Sequence, residues 1–518
     1  MYNQRQMLKT YDLHPMSIKL IRAGHPWVTN DKFSEKFHPK ERFIIAANRK
    51  KPFALLIHDP THKHVRARVW ATSGHFQKLM KNFKNDVITR LRKSFQNRKA
   101  KNYFENRNHF YLAFGENDQL PGIFIKYMGG EILIEFYMEF WRTYQDFVIQ
   151  NVVRSFNEVF DRDLTISNIW IQYRDHNKES AKCLDPISTF RRVDINEYGV
   201  NYKVYLGKHY DTGIYTDMAA IRSRLKKQLS NCNSLLNLYS YTGAFSLYAA
   251  SLGVEDITSV DMSEAYQEWL QDNIALNEDL DLSGHTSLTM TTLEALEQLK
   301  EEGKKFECII SDPPSSSNDG NRTTNALSEY THILPLMYDV MEENGTIIAF
   351  LNTHKIGIDK FKNKLKNIIH KNKLPLVLSG NLYLGEDCPY KKGFPEGSYL
   401  KGIILKKKRQ RPEDESENKK TPAPKEKQVK AEVKEETSPK EKSDHQETQT
   451  NTEKSAKKVT KKVAKKAAKK TAKKVTKKAT KKVAKKTAKK TAKKVTKKAT
   501  KKTAKKATKK TSKKESES

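Results

Sequence analysis

The sequence predicts an α/β chain in four parts: a small N-terminal β-barrel, a central α+β domain, a doubly wound parallel sheet and a disordered C-terminal tail. Three observations carry this reading. Residues 234–277 run strand, turn, helix, strand, helix, the opening of a parallel doubly wound sheet. Residues 20–75 hold short alternating apolar segments separated by Pro and Asp turns. From Ala456 to Lys514 a four-residue unit such as AKKV or TKKA repeats with no acidic residue. The spans follow as 1–75, 76–205, 206–408 and 409–518.

The chain has 518 residues, 37% hydrophobic and 31% charged, which suits soluble globular parts joined to a polar tail. Its apolar runs are strand-sized, such as GTIIAFL, and far short of the ~20 residues that a membrane span needs. No apolar signal core opens the sequence, so a cytoplasmic location without membrane contact is expected. Cys183, Cys232, Cys308 and Cys388 are scattered with no CxxC spacing, which argues against a metal site or a disulfide framework. Oligomeric state is not legible.

The net charge of +36 is concentrated at one end. The tail repeat contributes fifteen Lys-Lys pairs, and without them and the two closing glutamates residues 1–455 carry only +8. Neighbouring lysines repel along a helix and no apolar face offsets chain entropy, so the repeat is expected to be disordered alone. Its chemistry suits sequence-independent binding of nucleic acid by counterion release. Residues 409–455 mix both charges with Pro, Ser and Thr and read as a linker.

In the first part, RFIIAAN, PFALLIHD and HVRARVWA read as strands following LIRAGHPWVTN. Phe76, Leu79, Met80, Phe83, Val87 and Leu91 then recur at helical spacing. The stretch NHFYLAFGENDQLPGIFIKYMGGEILIEFY alternates and turns like a β-meander. In the third part, SLLNLYS is a buried strand, YTGAF the turn and SLYAASLG a helix ended by Gly253. DITSVD is a second strand ending at Asp261, and Ser263 is placed to start the next helix. Gly243 lets the backbone approach a ligand at the switch point. Asp261, eighteen residues on, is placed to accept both hydroxyls of a ribose. The turn has one glycine where a dinucleotide site would have GxGxxG, so a nucleoside ligand without phosphates fits better. ECIIS is the fourth strand, and Asp312-Pro313-Pro314 stands at its carboxyl end.

These residues resemble a known family. GHPWV with VRARVW looks like a PUA domain, and Gly115, Glu116, Asp118, Leu120, Pro121 and Gly122 match a turn of the same proteins. NLYSYTG resembles motif I of class I methyltransferases, YDTGIYTDMAAIR a segment lying over the cofactor, and GFPEGSYLKGIIL a closing strand. Together they are similar to the bacterial PUA-domain-containing methyltransferases of large-subunit ribosomal RNA, over residues 24–405. The resemblance implies S-adenosylmethionine as cofactor, bound by Thr212, Tyr215, Tyr239, Tyr241, Thr242, Gly243, Asp261, Met262, Thr291 and Asp312. It implies ribosomal RNA as partner and a Rossmann-like catalytic domain. His25 and Trp27 are read as packing residues of the barrel.

Two departures bear on chemistry. The family's adenine-contacting Asp after the third strand is replaced in LTMTTLEAL by Thr291 or Thr292. The branch that makes 5-methylcytosine carries a Cys after the fifth strand, where this chain has IIAFLNTHKIG. Cytosine C5 needs a thiolate added at C6 before it is nucleophilic, so that route looks closed. The expected target is a guanine nitrogen, N7 ahead of N2, as in the family's guanine-N7 branch, with Asp312, Pro313 and Asn352 as catalytic residues. A non-catalytic RNA- or nucleoid-binding protein that keeps the fold is the alternative.

Overall fold

The first strands to form a sheet are short. The computed structural model describes residues 8–408 except 31, 63, 175–177 and 319–322. Here β1 (Thr10–Asp12), α1 (Pro15–Arg22), β2 (Trp27–Thr29), β3 (Phe43–Asn48), β4 (Lys51–His58) and β5 (Val65–Ala71) follow in order. The sheet runs β1-β3-β4-β5-β2. The three long strands lie where apolar alternation placed them, but the expected closed barrel does not form. β1 and β2 are edges of three residues each that do not pair with one another, too short to complete a tilted, staggered cylinder. Ile18 and Ile21 of α1, with Phe37, fill that face instead.

The next part opens with α2 (Phe76–Lys81) and α3 (Phe83–Lys99), where the apolar spacing predicts one continuous helix. Then come β6 (His109–Phe114), β7 (Ile123–Met128), β8 (Glu131–Phe136), α4 (Gln145–Phe160), β9 (Asn168–Tyr173) and β10 (Lys182–Cys183). The expected meander is β6-β7-β8, extended by β9 and β10. Phe83, Val87, Leu91 and Phe95 of α3 and Val148, Val152 and Phe156 of α4 are buried in one core with this sheet.

The hairpin β11 (Arg191–Glu197) and β12 (Val200–Leu206) leads into α5 (Ala219–Arg224), α6 (Lys226–Leu229) and the large sheet. A boundary at 205 assigned this hairpin to the central part. In the structure Asn273 and Asn277 accept the Lys203 and Asn201 backbone N–H groups at 2.8 Å, and Tyr202 and Val204 share a core with the large sheet. The hairpin also bonds to the central part, through Tyr198 N–H to the Asn106 carbonyl and Arg191 to Glu131, so it joins the two.

The large sheet follows as β13 (Ser234–Leu238), α7 (Ala244–Ala250), β14 (Asp256–Val260), α8 (Glu264–Ile274), β15 (His285–Leu288), α9 (Thr292–Glu301) and β16 (Phe306–Ser311). The small ladder β17 (Ser316–Asn318) and β18 (Thr323–Asn325) precedes α10 (Ala326–Asp339), β19 (Met341–Asn352), α11 (Ile358–Lys371), β20 (Leu376–Tyr383) and β21 (Leu400–Lys407). The order is β15-β14-β13-β16-β19-β21-β20, parallel through β19, with β21 antiparallel to both neighbours. Strand order reverses between β13 and β16, the place where open α/β sheets hold ligands. The three sheets all belong to one contact unit, Met1–Asp414, distinct from Glu415–Ser518. The lysine repeat and its linker lie outside the described residues.

A buried charged cluster ties the parts together. Glu197 on β11 accepts from Arg222 on α5 at 2.5 and 2.7 Å and from His109 on β6 at 2.7 Å. Burial opposes the Glu197 charge, but Arg222 outweighs it and holds the carboxyl well below the usual range. Glu197→Gln should destabilise the fold by about 3–5 kcal/mol at pH 7, since it strands the Arg222 charge. With its folded pKa depressed from 4.5, the Glu197 contribution is complete above that pH and declines as acid protonates the folded form. Urea titration should find the gap between wild type and variant wide at neutral pH and narrowing below pH 4.5. A gap that stays as wide in acid would show that it does not come from the Glu197 charge.

His25 and Trp27 do pack, but against the far end of the chain. His25 Nε2 lies 3.0 Å from Glu396 Oε2, and the Trp27 ring meets Phe394 edge-on at 4.7 Å. Trp27 Nε1 also donates to Glu116 at 2.8 Å, beside Arg68. The GHPWV segment thus holds the N-terminal part on the loop that precedes β21.

Candidate functional site

Strand register brings the candidate residues level. Leu238 on β13 pairs with Val260 on β14 and with Ser311 on β16, so Tyr239, Asp261 and Asp312 emerge side by side at the carboxyl edge. Ser311 pairs with Ala349, and β19 runs three residues further to Asn352. These four residues line one cavity of about 620 Å³. Pro313, Tyr215, Tyr241, Met262 and Thr291 also line it.

The motif between β13 and α7 is a left-handed turn. Tyr239, Tyr241 and Gly243 all have positive φ, at 59°, 52° and 81°. For the two tyrosines this costs about 1–3 kcal/mol each, a strain that surrounding contacts must hold. Asp261 is one such contact, accepting the Tyr241 N–H on Oδ2 and the Ser263 N–H on Oδ1, both at 3.0 Å. It is therefore a structural acid as well as a cavity residue. Burial pushes its carboxyl up, against those two N–H groups. A Cβ on Gly243 would stand 2.1 Å from a Leu270 methyl, so α8 packs directly on that backbone.

Thr212, Thr242 and Gly243 do not line the cavity. Thr242 Oγ1 donates to the Gly213 carbonyl at 2.6 Å, Tyr241 Oη accepts the Gly213 N–H at 3.1 Å, and Thr212 Oγ1 donates to Ile214. The Thr242 and Tyr241 bonds lock the TGIYT loop onto the motif, and the Thr212 bond is internal to that loop. Thr291 is at the wall, but its hydroxyl is committed: it caps α9, donating to Glu294 at 2.7 Å and accepting the Glu294 N–H. A capping box with Glu294 explains why a threonine stands here. Glu294 itself lines the cavity and puts a carboxylate at the Thr291 wall.

Sequence reasoning missed Glu294, Ser240, Asp217, Arg222 and Tyr266, all at this wall. Arg222 and Asp217 lie inside the quoted TDMAAIR segment; Glu294 was detectable as the third residue of a T-x-x-E cap. The buried Ser240 hydroxyl has no hydrogen-bond partner among the described residues. Tyr241 stands 5.2 Å from the Tyr215 ring and 4.6 Å from that of Tyr266, forming an aromatic wall.

Asp312 accepts no hydrogen bond from a described residue. Burial, with the nearby Asp217 carboxylate, raises its carboxyl to about 7 against the pull of Arg222. Asp217 is itself raised by burial and accepts the Tyr399 hydroxyl. None of the four cysteines lines this cavity. Cys232 and Cys308 are buried in the core, and Cys388, its thiol pushed well up by burial, lines a neighbouring cavity. No group of His, Cys, Asp and Glu among the described residues could hold a metal, and no described helix is long and apolar enough to cross a membrane.

The residues fit a nucleoside cofactor that carries a positive charge. The wall offers the Asp261 carboxylate, a Ser240 hydroxyl without a partner among the described residues, tyrosine faces that attract cations, and the Asp312 carboxylate, which accepts no hydrogen bond from a described residue. Fold and site define an S-adenosylmethionine-dependent methyltransferase, and the comparisons agree. Residues 164–369 match the family described as S-adenosylmethionine-dependent methyltransferase. YwbD of Bacillus subtilis, named as a candidate large-subunit ribosomal RNA methyltransferase, is 28% identical over 62% of this chain and 80% of its own length. Ribosomal RNA large subunit methyltransferase I of Aliivibrio fischeri is 25% identical over 75% of this chain and 96% of its own. Among solved structures, SMU.776, a candidate methyltransferase complexed with SAH, aligns at a TM-score of 0.66 and 20% identity. It covers 77% of this chain and 100% of its own. This chain is an S-adenosylmethionine-dependent enzyme, and the non-catalytic alternative falls away.

Asp261→Ala should weaken cofactor binding by about 1–3 kcal/mol, the cost of a lost polar partner. Calorimetry with S-adenosylmethionine measures it; unchanged affinity would place ribose recognition elsewhere.

Proposed function

We propose that this enzyme methylates a guanine nitrogen of large-subunit ribosomal RNA, N7 ahead of N2, in the cytoplasm. The observation that carries the choice of atom is the cavity wall. It contains no cysteine, and Asn352 ends the fifth parallel strand. Cytosine C5 would need a thiolate adduct first, whereas guanine N7 carries a lone pair and loses no proton on attack. The RNA partner is supported by the names of the relatives at YwbD and methyltransferase I. S-adenosylmethionine, when bound, supplies an electrophilic methyl group.

The chain's own residues then position and desolvate. Asp261 and Ser240 would hold the cofactor's ribose, Glu294 would receive the adenine amine and Met262 would lie against the adenine. Asp312, with the proline-fixed Pro313 backbone, and Asn352 accept and donate to the edge of a planar base. That arrangement requires no general base, only alignment within a dry cleft. The N-terminal domain serves as the PUA-like RNA-binding part, and the lysine repeat adds sequence-independent attraction to nucleic acid.

Replacing Cys183, Cys232, Cys308 and Cys388 together by Ser should leave turnover within a few-fold of wild type once folded protein is compared. Turnover lost in a folded variant, or 5-methylcytosine in the product, would sink the nitrogen target.

A further inference from the structure

Charge is divided across the catalytic sheet. Residues 264–307, which carry α8 and α9 beyond the β14–β15 side, hold eleven acids against three lysines. Residues 355–373, which carry α11 beyond β19, hold seven lysines against one acid, Asp359. Among the described residues none of those seven lysines makes an ion pair. The core buries Phe361, Leu365 and Ile368 of this helix, which starts six residues after Asn352, and it does not require the unpaired basic face.

The lysines fall on two edges of α11. Lys360, Lys364 and Lys371 form one; Lys362 and Lys366 form the other, one turn and ~6 Å apart along the axis. The second edge continues the row begun by Ile358 and Asp359. Those two residues line a cavity of about 670 Å³ beside the catalytic one, together with Gly357, Tyr383, Tyr390 and Lys401. Tyr383 and Tyr390 are 42% and 57% exposed, enough ring surface to stack a base. The buried Lys401 ammonium donates to the Thr353 and Tyr399 carbonyls at 2.5 and 2.8 Å and has no carboxylate partner. Leu400, next to it on β21, lines the catalytic cavity, so the two spaces share a strand.

We propose that this second cavity and the Lys362–Lys366 edge of α11 form the groove that holds the RNA strand flanking the target nucleotide. The lysines follow its phosphates and Tyr383 and Tyr390 stack its bases. A positive rail beside exposed rings is the general design for gripping single-stranded nucleic acid. The acidic α8–α9 side repels the same strand, so the RNA approaches from the α11 side. The proposal rests on the reading that the substrate is RNA.

The test compares Lys362→Gln with Lys366→Gln as one double variant of the full chain and Lys360→Gln with Lys364→Gln as the other. Each is assayed for methylation of an unmodified large-subunit rRNA transcript and for binding of oligouridylate across a salt series. Affinity for S-adenosylmethionine is the control for folding. The first double should raise KM for RNA by about tenfold and make the salt dependence shallower by about one to two in log–log slope, with cofactor affinity unchanged. The second should change KM less than threefold. Tyr383→Ala with Tyr390→Ala should raise KM without altering the slope. The groove is wrong if the first double behaves like wild type, or if the second loses as much, which would leave α11 a solvated basic face. A wild-type enzyme that leaves the transcript unmethylated overturns the RNA reading instead, while oligouridylate binding still judges the groove.

Discussion

Asp312→Ala should lower turnover by about 10²–10³-fold with little loss of fold. Asp312 stands at the carboxyl end of β16 among cavity residues, and its carboxylate accepts no hydrogen bond from a described residue. No protein group depends on it for satisfaction, so its removal strands nothing. Its burial raises its carboxyl to about 7, an environment suited to a functional acid. Loss of a preorganised polar group at the reacting centre costs about 2.7–4 kcal/mol of transition-state stabilisation. Asp312→Asn, which keeps an acceptor oxygen without the charge, should retain part of the rate. The sign of the pH effect follows from the raised value. The carboxylate is ionised above about 7 and attracts a cationic cofactor, so S-adenosylmethionine should bind more tightly at pH 8 than at pH 6, releasing protons as it does. The Asn variant should lose that dependence except for a remainder from Asp217, whose titration is coupled to it. A wild-type affinity flat from pH 6 to 8 would contradict the assignment.

Gly243→Val should abolish cofactor binding outright. The residue sits at φ 81°, where a β-branched side chain is strained. Its Cβ would stand 2.1 Å from Leu270 and 3.3 Å from Leu247. Both leucines belong to helices packed on the strands, so the turn must move instead of the core. A moved turn breaks the Tyr241 N–H bond to Asp261 and misplaces Tyr239 and Asp261 together. Calorimetry should give no measurable S-adenosylmethionine heat at concentrations that saturate wild type, in a protein that unfolds at a lower temperature but still cooperatively. Binding within tenfold of wild type would mean that the turn can flex without the site.

What was legible in the sequence were features set by short-range chemistry. The β13–α7–β14–α8 unit, the one-glycine turn and the acid eighteen residues on all depend on local spacing, and each lies where that spacing put it. Asp312-Pro313 followed from a strand meeting a stiff corner. The features that went astray depend on distant partners. The barrel expected from alternating strands is an open sheet because β1 and β2 are too short to meet. The bonds that tie the β11–β12 hairpin to α8 could not be read locally, because Asn273 and Asn277 lie more than sixty residues later. The Thr242 hydroxyl holds one loop against another and that of Thr212 closes its own loop, contacts that the motif alone does not announce. The Thr291 hydroxyl caps α9 and Glu294 stands beside it at the cavity wall, a pairing that depends on where the helix starts. A residue's neighbours along the chain say what turn it makes; its role at a wall depends on what the fold sets opposite.

The central claim concerns the atom that receives the methyl. Nucleoside mass spectrometry of large-subunit ribosomal RNA, from cells with and without this protein, tests it most directly. A methylated guanine that disappears with the protein, with 5-methylcytosine unchanged, is the expected result. Loss of a 5-methylcytosine while every methylated guanine persists would contradict it.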